Sequence, residues 1–295
     1  MRNKLLHVFR NTPQGREILL QSIYFCKKTK TKLKVYIPKS NQFLMYFENK
    51  VITVDLDKDF LKHKDSSKNN VESLTKKNNL VPLFLENLPE EHTSTIPNIP
   101  TDFTYMCSPR SISDLSTKIG LGHIGTKVRS IIKSSSFPIL IPSTVYKEWK
   151  SITVFFGGSK NSFNVMRLGI KISLISGLPL KIFTQAEKTY KKKYYEDLIK
   201  NTIGTLEEKL ILNKKNIEID KKNLLKPFSY EWKFFENENF AENLYSVDHD
   251  SLVVIGSFGH GIIKDILFGS KMEAVQSVLP NNLLIVGPKY NSEIL

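Results

Sequence analysis

Short apolar runs alternate with longer amphipathic segments along this 295-residue chain. That alternation predicts an α/β protein on a parallel sheet. Strands covered on both faces read as unbroken apolar runs, and the helices between them show a 3.6-residue period. Leu5-Leu6-His7-Val8-Phe9 predicts a buried strand. Pro13 to Lys30 predicts a helix with Ile18, Leu19, Ile23 and Cys26 on one face, and Pro13 suits a first turn that needs no N–H there. Lys32 to Ile37 predicts a second strand, stopped by Pro38.

The same order returns later. Ile152 to Phe156 predicts a strand, Phe163 to Ser176 a helix and Leu180 to Thr184 a strand. Val165, Met166, Ile170 and Ser173 stand in this helix where Ile18, Leu19, Ile23 and Cys26 stand in the first, at one constant offset that also carries Phe9 onto Phe156. Gly125-Thr126, a helix and the strand Ile139-Leu140-Ile141 likewise parallel Gly269-Ser270, a helix and Leu283 to Val286. Such self-similarity predicts a duplication. The expected architecture is two tandem repeats of an open, mostly parallel sheet flanked by helices, Rossmann-like, covering residues 1–146 and 147–295 and joined near Ser143 to Lys150.

The middles of the halves differ. The second carries a long charged helix, Glu187 to about Leu212 with a break expected near Gly204, then a strand at Tyr230 to Phe235. The first carries an insertion around residues 39–100. Its Phe43 to Leu56 predicts a hairpin turning at Glu48-Asn49-Lys50, which serves either as a flap over its own half or as a partner surface. Behind it, HKDSSKNN (63–70) reads as a polar loop and HTSTIPNIP (92–100) as a Pro-rich connector.

Charge and cysteine usage narrow the function classes. The net charge of +14 favours anionic partners in general, but it comes mainly from lysine mixed with asparagine, while arginines are scattered singly. A specific nucleic-acid site is therefore not expected. Cys26 and Cys107 are too few for a disulfide framework or a thiolate metal site, and the six histidines show neither HxxxH nor HExxH, so no metal is expected. With no secretory leader pattern and no apolar run of membrane-spanning length, no membrane partner is expected and the expected location is the cytoplasm.

Two glycine motifs compete for a phosphate-binding role. Gly120-x-Gly122-x-x-Gly125 has dinucleotide-fingerprint spacing, but polar SISDLSTK precedes it instead of an apolar strand, and no acidic residue follows the next strand. The second motif has the right surroundings. Leu252 to Ile255 predicts a strand running into Gly256-Ser257-Phe258-Gly259-His260-Gly261, and Gly269-Ser270 opens a helix. Glycines at a strand's carboxyl end let backbone N–H groups approach an anion, and a Gly-Ser helix start adds free N–H groups, a hydroxyl and the positive end of the dipole. The candidate ligand residues are Gly256, Ser257, Gly259, His260, Gly269 and Ser270, with Gly157 and Gly158 at the end of the half's first strand. The plainer reading of the same residues is a tight turn plus a helix cap. Lys264 and Lys271 lie near enough in sequence to neutralise phosphate, and Asp265 reads as a surface carboxylate.

Gly256-x2-Gly259-x9-Gly269-Ser270, with its flanking strand and the closing LLIVGP, resembles the G-x2-G-x9-G-[ST] pattern of ATP-binding universal stress proteins. The resemblance covers nearly the whole chain as two tandem copies, apart from the insertion. It implies a universal-stress-type fold and ATP or a related adenine nucleotide, with Mg2+, bound in the C-terminal half as a regulatory ligand in stress response. It also implies an intramolecular pseudo-dimer of the repeats, with a homodimer as a further option, and no catalytic residues. In the first half only Gly125-Thr126 of the pattern survives, the upstream glycines falling at Ile112 and Leu115. ATP-binding members also end their first strand in an aspartate on the adenine side. Here those positions are Gly157-Gly158-Ser159 and Arg10-Asn11-Thr12, without a carboxylate. Two alternatives stay open: an interaction scaffold of the same fold that binds no nucleotide, and an ATP-pyrophosphatase-like enzyme. The latter rests on VFFGGSKNS, which resembles a glycine-rich phosphate loop but has Phe156 in place of its leading serine and lacks its acidic residue.

Overall fold

The computed structural model describes residues 3–86, 96–112, 124–212, 229–236, 239–257 and 279–292. The chain divides into two compact units, Met1–Glu148 and Trp149–Leu295.

The first unit begins with β1 (Lys4–Val8), α1 (Pro13–Thr29) and β2 (Lys32–Tyr36). Thr12 caps α1 by accepting the Gly15 N–H, Pro13 fills the first turn, and Lys30 closes the helix in the left-handed region at φ 52°. The insertion follows as a hairpin, β3 (Gln42–Phe47) and β4 (Lys50–Asp55), a 3-10 turn at Lys58–Leu61, and α2 (Lys64–Lys77). Then come β5 (Leu83–Phe84), β6 (Asn98–Ile99), β7 (Tyr105–Cys107), α3 (Thr126–Ser134) and β8 (Ile139–Ile141). The parallel sheet runs β8-β7-β1-β2-β5, while β6 joins the hairpin in a small second sheet ordered β4-β3-β6.

The second unit comprises β9 (Ser151–Phe155), α4 (Lys160–Ser176), β10 (Leu180–Gln185), α5 (Lys192–Leu212), β11 (Tyr230–Phe235), β12 (Ser251–Gly256) and β13 (Asn282–Val286). Its parallel sheet runs β11-β10-β9-β12-β13. Counting main-sheet strands along the chain, both units have the order 3-2-1-4-5, the doubly wound arrangement. The α/β class and parallel sheets expected from the sequence are thus present. The central strands are covered on both faces: Leu5, Leu6, Val8, Ile152, Val154 and Leu252 to Ile255 are all buried.

Four local expectations need correction. HKDSSKNN is not a loop but the run into and first turns of α2. The helix buries Ser67, Val71 and Thr75 at four-residue spacing, and the Ser67 and Thr75 hydroxyls donate to the His63 and Val71 carbonyls. A buried stripe this polar leaves no apolar period to detect. Within HTSTIPNIP, Asn98–Ile99 pairs with β3 as a strand. α4 starts at Lys160 rather than Phe163, because Ser159 caps it by accepting the Ser162 N–H. α5 starts at Lys192 rather than Glu187 and passes through Gly204 without a break.

Candidate functional site

In a 3-2-1-4-5 sheet, the connections from the first and fourth strands leave toward opposite faces. A crevice therefore opens between their carboxyl ends, and open α/β sheets take ligands there. In the second unit these strands are β9 and β12, in parallel register from Ser151↔Ser251 to Val154↔Val254. Carried forward, that register sets Ser257 level with Gly157. The structure thus places Gly157 and Gly158 just past the end of β9, and Gly256 and Ser257 at the end of β12, the two strands that flank this crevice. Gly259, His260, Gly269 and Ser270, with Lys264, Asp265 and Lys271, lie outside the described residues.

Local chemistry explains why the second unit has small residues here. Gly158 adopts φ +74°, a conformation that disfavours any residue with a Cβ. A Cβ at that position would also stand 3.3 Å from a Leu198 methyl and 3.6 Å from the Tyr194 ring. Asn161, in the first turn of α4, donates to the Val286 carbonyl at 3.4 Å, and the Ser257 N–H donates to the same carbonyl at 2.8 Å. The Ser257 side chain is another matter. The residue is 1% exposed, and its Oγ has no hydrogen-bond partner among the described residues. A buried polar atom left unpaired costs about 1–3 kcal/mol.

An aromatic group borders the same edge, one strand further on. After β10, the Tyr190 and Tyr194 rings stack at 4.3 Å between centroids, and Tyr194 meets Tyr195 edge-on at 5.3 Å. Tyr195 is fully buried and its hydroxyl accepts the Glu187 N–H at 3.1 Å, which ties the loop to the end of the strand. The sequence reading missed these side chains because EKTYKKKYY looks like the charged opening of a long helix. The clue available was tyrosines interleaved with lysines.

The corresponding crevice of the first unit, between β1 and β7, is engaged by the unit's own insertion. Arg10, just past β1, lies 3.2 Å from Asp57 and 3.7 Å from Asp59, with its guanidinium over the Phe60 ring at 4.8 Å. Burial pushes the Asp57 carboxyl above its ordinary value, against the lowering effect of Arg10, whereas the Lys62 ammonium holds Asp59 below it. Asn11 donates to the His63 carbonyl and to the Ser66 hydroxyl, both at 3.1 Å, and accepts from Asn70. On the β7 side, the Asp57 N–H donates to the Ile112 carbonyl at 3.3 Å. The sequence alignment that sets Ile112 in the place of Gly256 does not hold in the structure: the registers of β7 with β1 and of β12 with β9 put Pro109 there, and Ile112 follows three residues later. Lys127, in the first turn of α3, donates to the Thr53 carbonyl at 2.9 Å and pairs with Asp55 at 3.2 Å. The insertion therefore grips both sides of the switch point, and the hairpin is a flap on its own half, with Phe43, Met45, Ile52 and Val54 buried.

Other candidate chemistry is quiet. Cys26 and Cys107 are free, buried thiols that burial raises well above their ordinary pKa, Cys107 to about 12. Among the described residues no group of three or more His, Cys, Asp or Glu could hold a metal ion, and no helix is long and apolar enough to cross a membrane.

No family model matches the sequence, and no curated protein matches it. Solved structures do. The chain is similar to a universal stress protein from Archaeoglobus fulgidus DSM 4304, at a TM-score of 0.58 and 11% identity over 97% of this chain and 99% of that one. It is also similar to a protein of unknown function from Pseudomonas aeruginosa PAO1, at a TM-score of 0.50 and 8% identity over 97% and 93% of the two chains. Likeness at such low identity concerns the fold, and it spans both units. The chain has the fold of universal stress proteins.

Proposed function

We propose that this is a tandem universal-stress-type protein that binds ATP or a related adenine nucleotide, with Mg2+ as counter-ion to the phosphates, at the switch point of its second unit. The ligand acts by occupancy, as a regulator in stress response, and any hydrolysis is slow and incidental. The observation that supports this reading is that Gly157-Gly158 and Gly256-Ser257 follow the two strands, β9 and β12, that flank the switch point, with the buried Ser257 hydroxyl lacking a partner among the described residues. Gly259, His260, Gly269 and Ser270 supply the rest of the phosphate cradle in this proposal, through backbone N–H groups and the Ser270 hydroxyl. The first unit contributes no second nucleotide site, because Arg10, Asn11, Ile112 and Lys127 are bonded to the insertion.

The test is calorimetric titration of nucleotide-stripped protein with ATP and Mg2+, in parallel with the Gly259→Val variant. The reading requires about one nucleotide per chain in the wild type and none in the variant, because a valine side chain would intrude where backbone must approach phosphate. Absence of heat at millimolar ATP in the wild type contradicts it and favours the scaffold alternative.

A further inference from the structure

In the second unit Gly256-Ser257, Gly157-Gly158 and the tyrosine pair follow the carboxyl ends of three adjacent strands. Going across the carboxyl ends, β12 ends in Gly256, β9 runs into Gly157-Gly158 and β10 runs through Gln185 to the tyrosine loop. Parallel strands are spaced about 4.8 Å apart, so β12 and β10 are separated by about 10 Å. That is the distance from the phosphates of a nucleotide to its base. A ligand with its phosphates at Ser257 therefore extends its base over Gly158 to the end of β10. Tyr190 and Tyr194 wait there, stacked on one another at an interplanar angle of 15° yet 43% and 39% exposed. Glycine at 158 lets the Tyr194 and Tyr195 rings come up to the backbone. Stacked rings left this exposed leave apolar faces in water, and a third ring added to the stack covers them.

Resting on the nucleotide reading above, we propose that Tyr190 and Tyr194 form the platform on which the ligand's base stacks. Stacking then takes the part that a hydrogen-bonding carboxylate at the end of the first strand would play. Lys192, whose ammonium lies 5.6 Å from the Trp232 ring and 5.9 Å from that of Phe234, adds positive charge at the same border. A stacking platform grips any base, because every base has a π face, whereas a carboxylate reads particular donor groups. The site therefore holds nucleoside triphosphates with little preference for the base.

The experiment titrates the full chain with ATP, GTP and inorganic tripolyphosphate, each with Mg2+, using wild type, the Tyr190→Ala/Tyr194→Ala double variant and Tyr194→Phe. The platform requires ATP and GTP to bind within about threefold of each other and at least about tenfold tighter than tripolyphosphate, in keeping with the strength of ring–base stacking. In the double variant, ATP and GTP weaken to the level of tripolyphosphate, whose own affinity is unchanged, while Tyr194→Phe keeps the ring and the binding. Circular dichroism of the double variant checks that the fold is retained. Tripolyphosphate binding as tightly as ATP, ATP unaffected by the double variant, or ATP bound with GTP excluded each overturns the platform while leaving the phosphate cradle standing. If neither ATP nor tripolyphosphate binds the wild type, the nucleotide reading itself falls, and the platform with it.

Discussion

The Arg10 guanidinium lies 3.2 Å from the Asp57 carboxylate, with both side chains less than a tenth exposed. The pair joins the end of the first strand to an insertion 47 residues away. It does so at the position where ATP-binding universal stress proteins, by the resemblance drawn from the sequence, carry an aspartate. The first unit thus reverses the charge there and supplies the acid from the insertion, which then sits at the switch point. The second unit puts Gly157 at the same place.

Breaking this pair from one side should be costly. Arg10→Ala leaves the Asp57 charge buried without its counter-ion, and the expected loss is about 3 kcal/mol of unfolding free energy in urea titration. Combining it with Asp57→Asn should restore part of that loss. Equal losses in the single and double variants would mean that the ion pair does not hold the insertion in place.

His7 makes stability depend on pH. It is 1% exposed in β1, hydrogen-bonded to Ser22 at 2.8 Å, and burial lowers its pKa from 6.5 to about 3. The folded state favours the neutral ring, so this contribution is fully present above the unfolded value of 6.5. It is lost progressively as pH falls from there toward 3, by at most about 1.4 kcal/mol per pH unit. Denaturation at pH 7, 6 and 5 should show that slope in the wild type and a shallower one in His7→Gln.

Gly158→Ala tests the strained turn after β9. With φ at +74° and Leu198 close by, the substitution should cost about 1–2 kcal/mol in thermal or chemical unfolding. A neutral result would show that the turn relaxes at no cost, and would remove the steric reason for the missing side chain.

Gly169 tests how closely α4 packs on β9. A Cβ there collides with a Val154 methyl, so Gly169→Ala should destabilise by about 1–3 kcal/mol through overpacking, despite alanine's better helix propensity. The double variant Gly169→Ala/Val154→Ala should recover stability relative to the two losses added together.

Much of this was legible in the sequence where physics acts locally. The first strand, helix and strand of each unit showed through apolar runs and helical periodicity, and the hairpin through its two apolar runs about a polar turn. α2 did not, because its buried face is Ser67, Val71 and Thr75 and its hydroxyls are satisfied by its own backbone. The start of α4 was missed because Ser159 read as part of a glycine-rich loop, when its hydroxyl is the cap. The glycines and Ser257 stood out because close backbone approach has a compositional signature. Arg10–Asp57 did not, since two ordinary charges far apart in sequence announce nothing until the fold joins them. The tyrosine pair was hidden similarly, inside a lysine-rich run whose polarity suggested a solvated helix end.

The most direct test of the central claim is amide hydrogen exchange of the full chain with and without saturating ATP and Mg2+. It distinguishes one open switch point from two. Binding at the second unit predicts slowed exchange in peptides spanning residues 155–159 and 251–257, with peptides spanning residues 8–12 unchanged. Slowed exchange at residues 8–12, or none at 251–257, would contradict it.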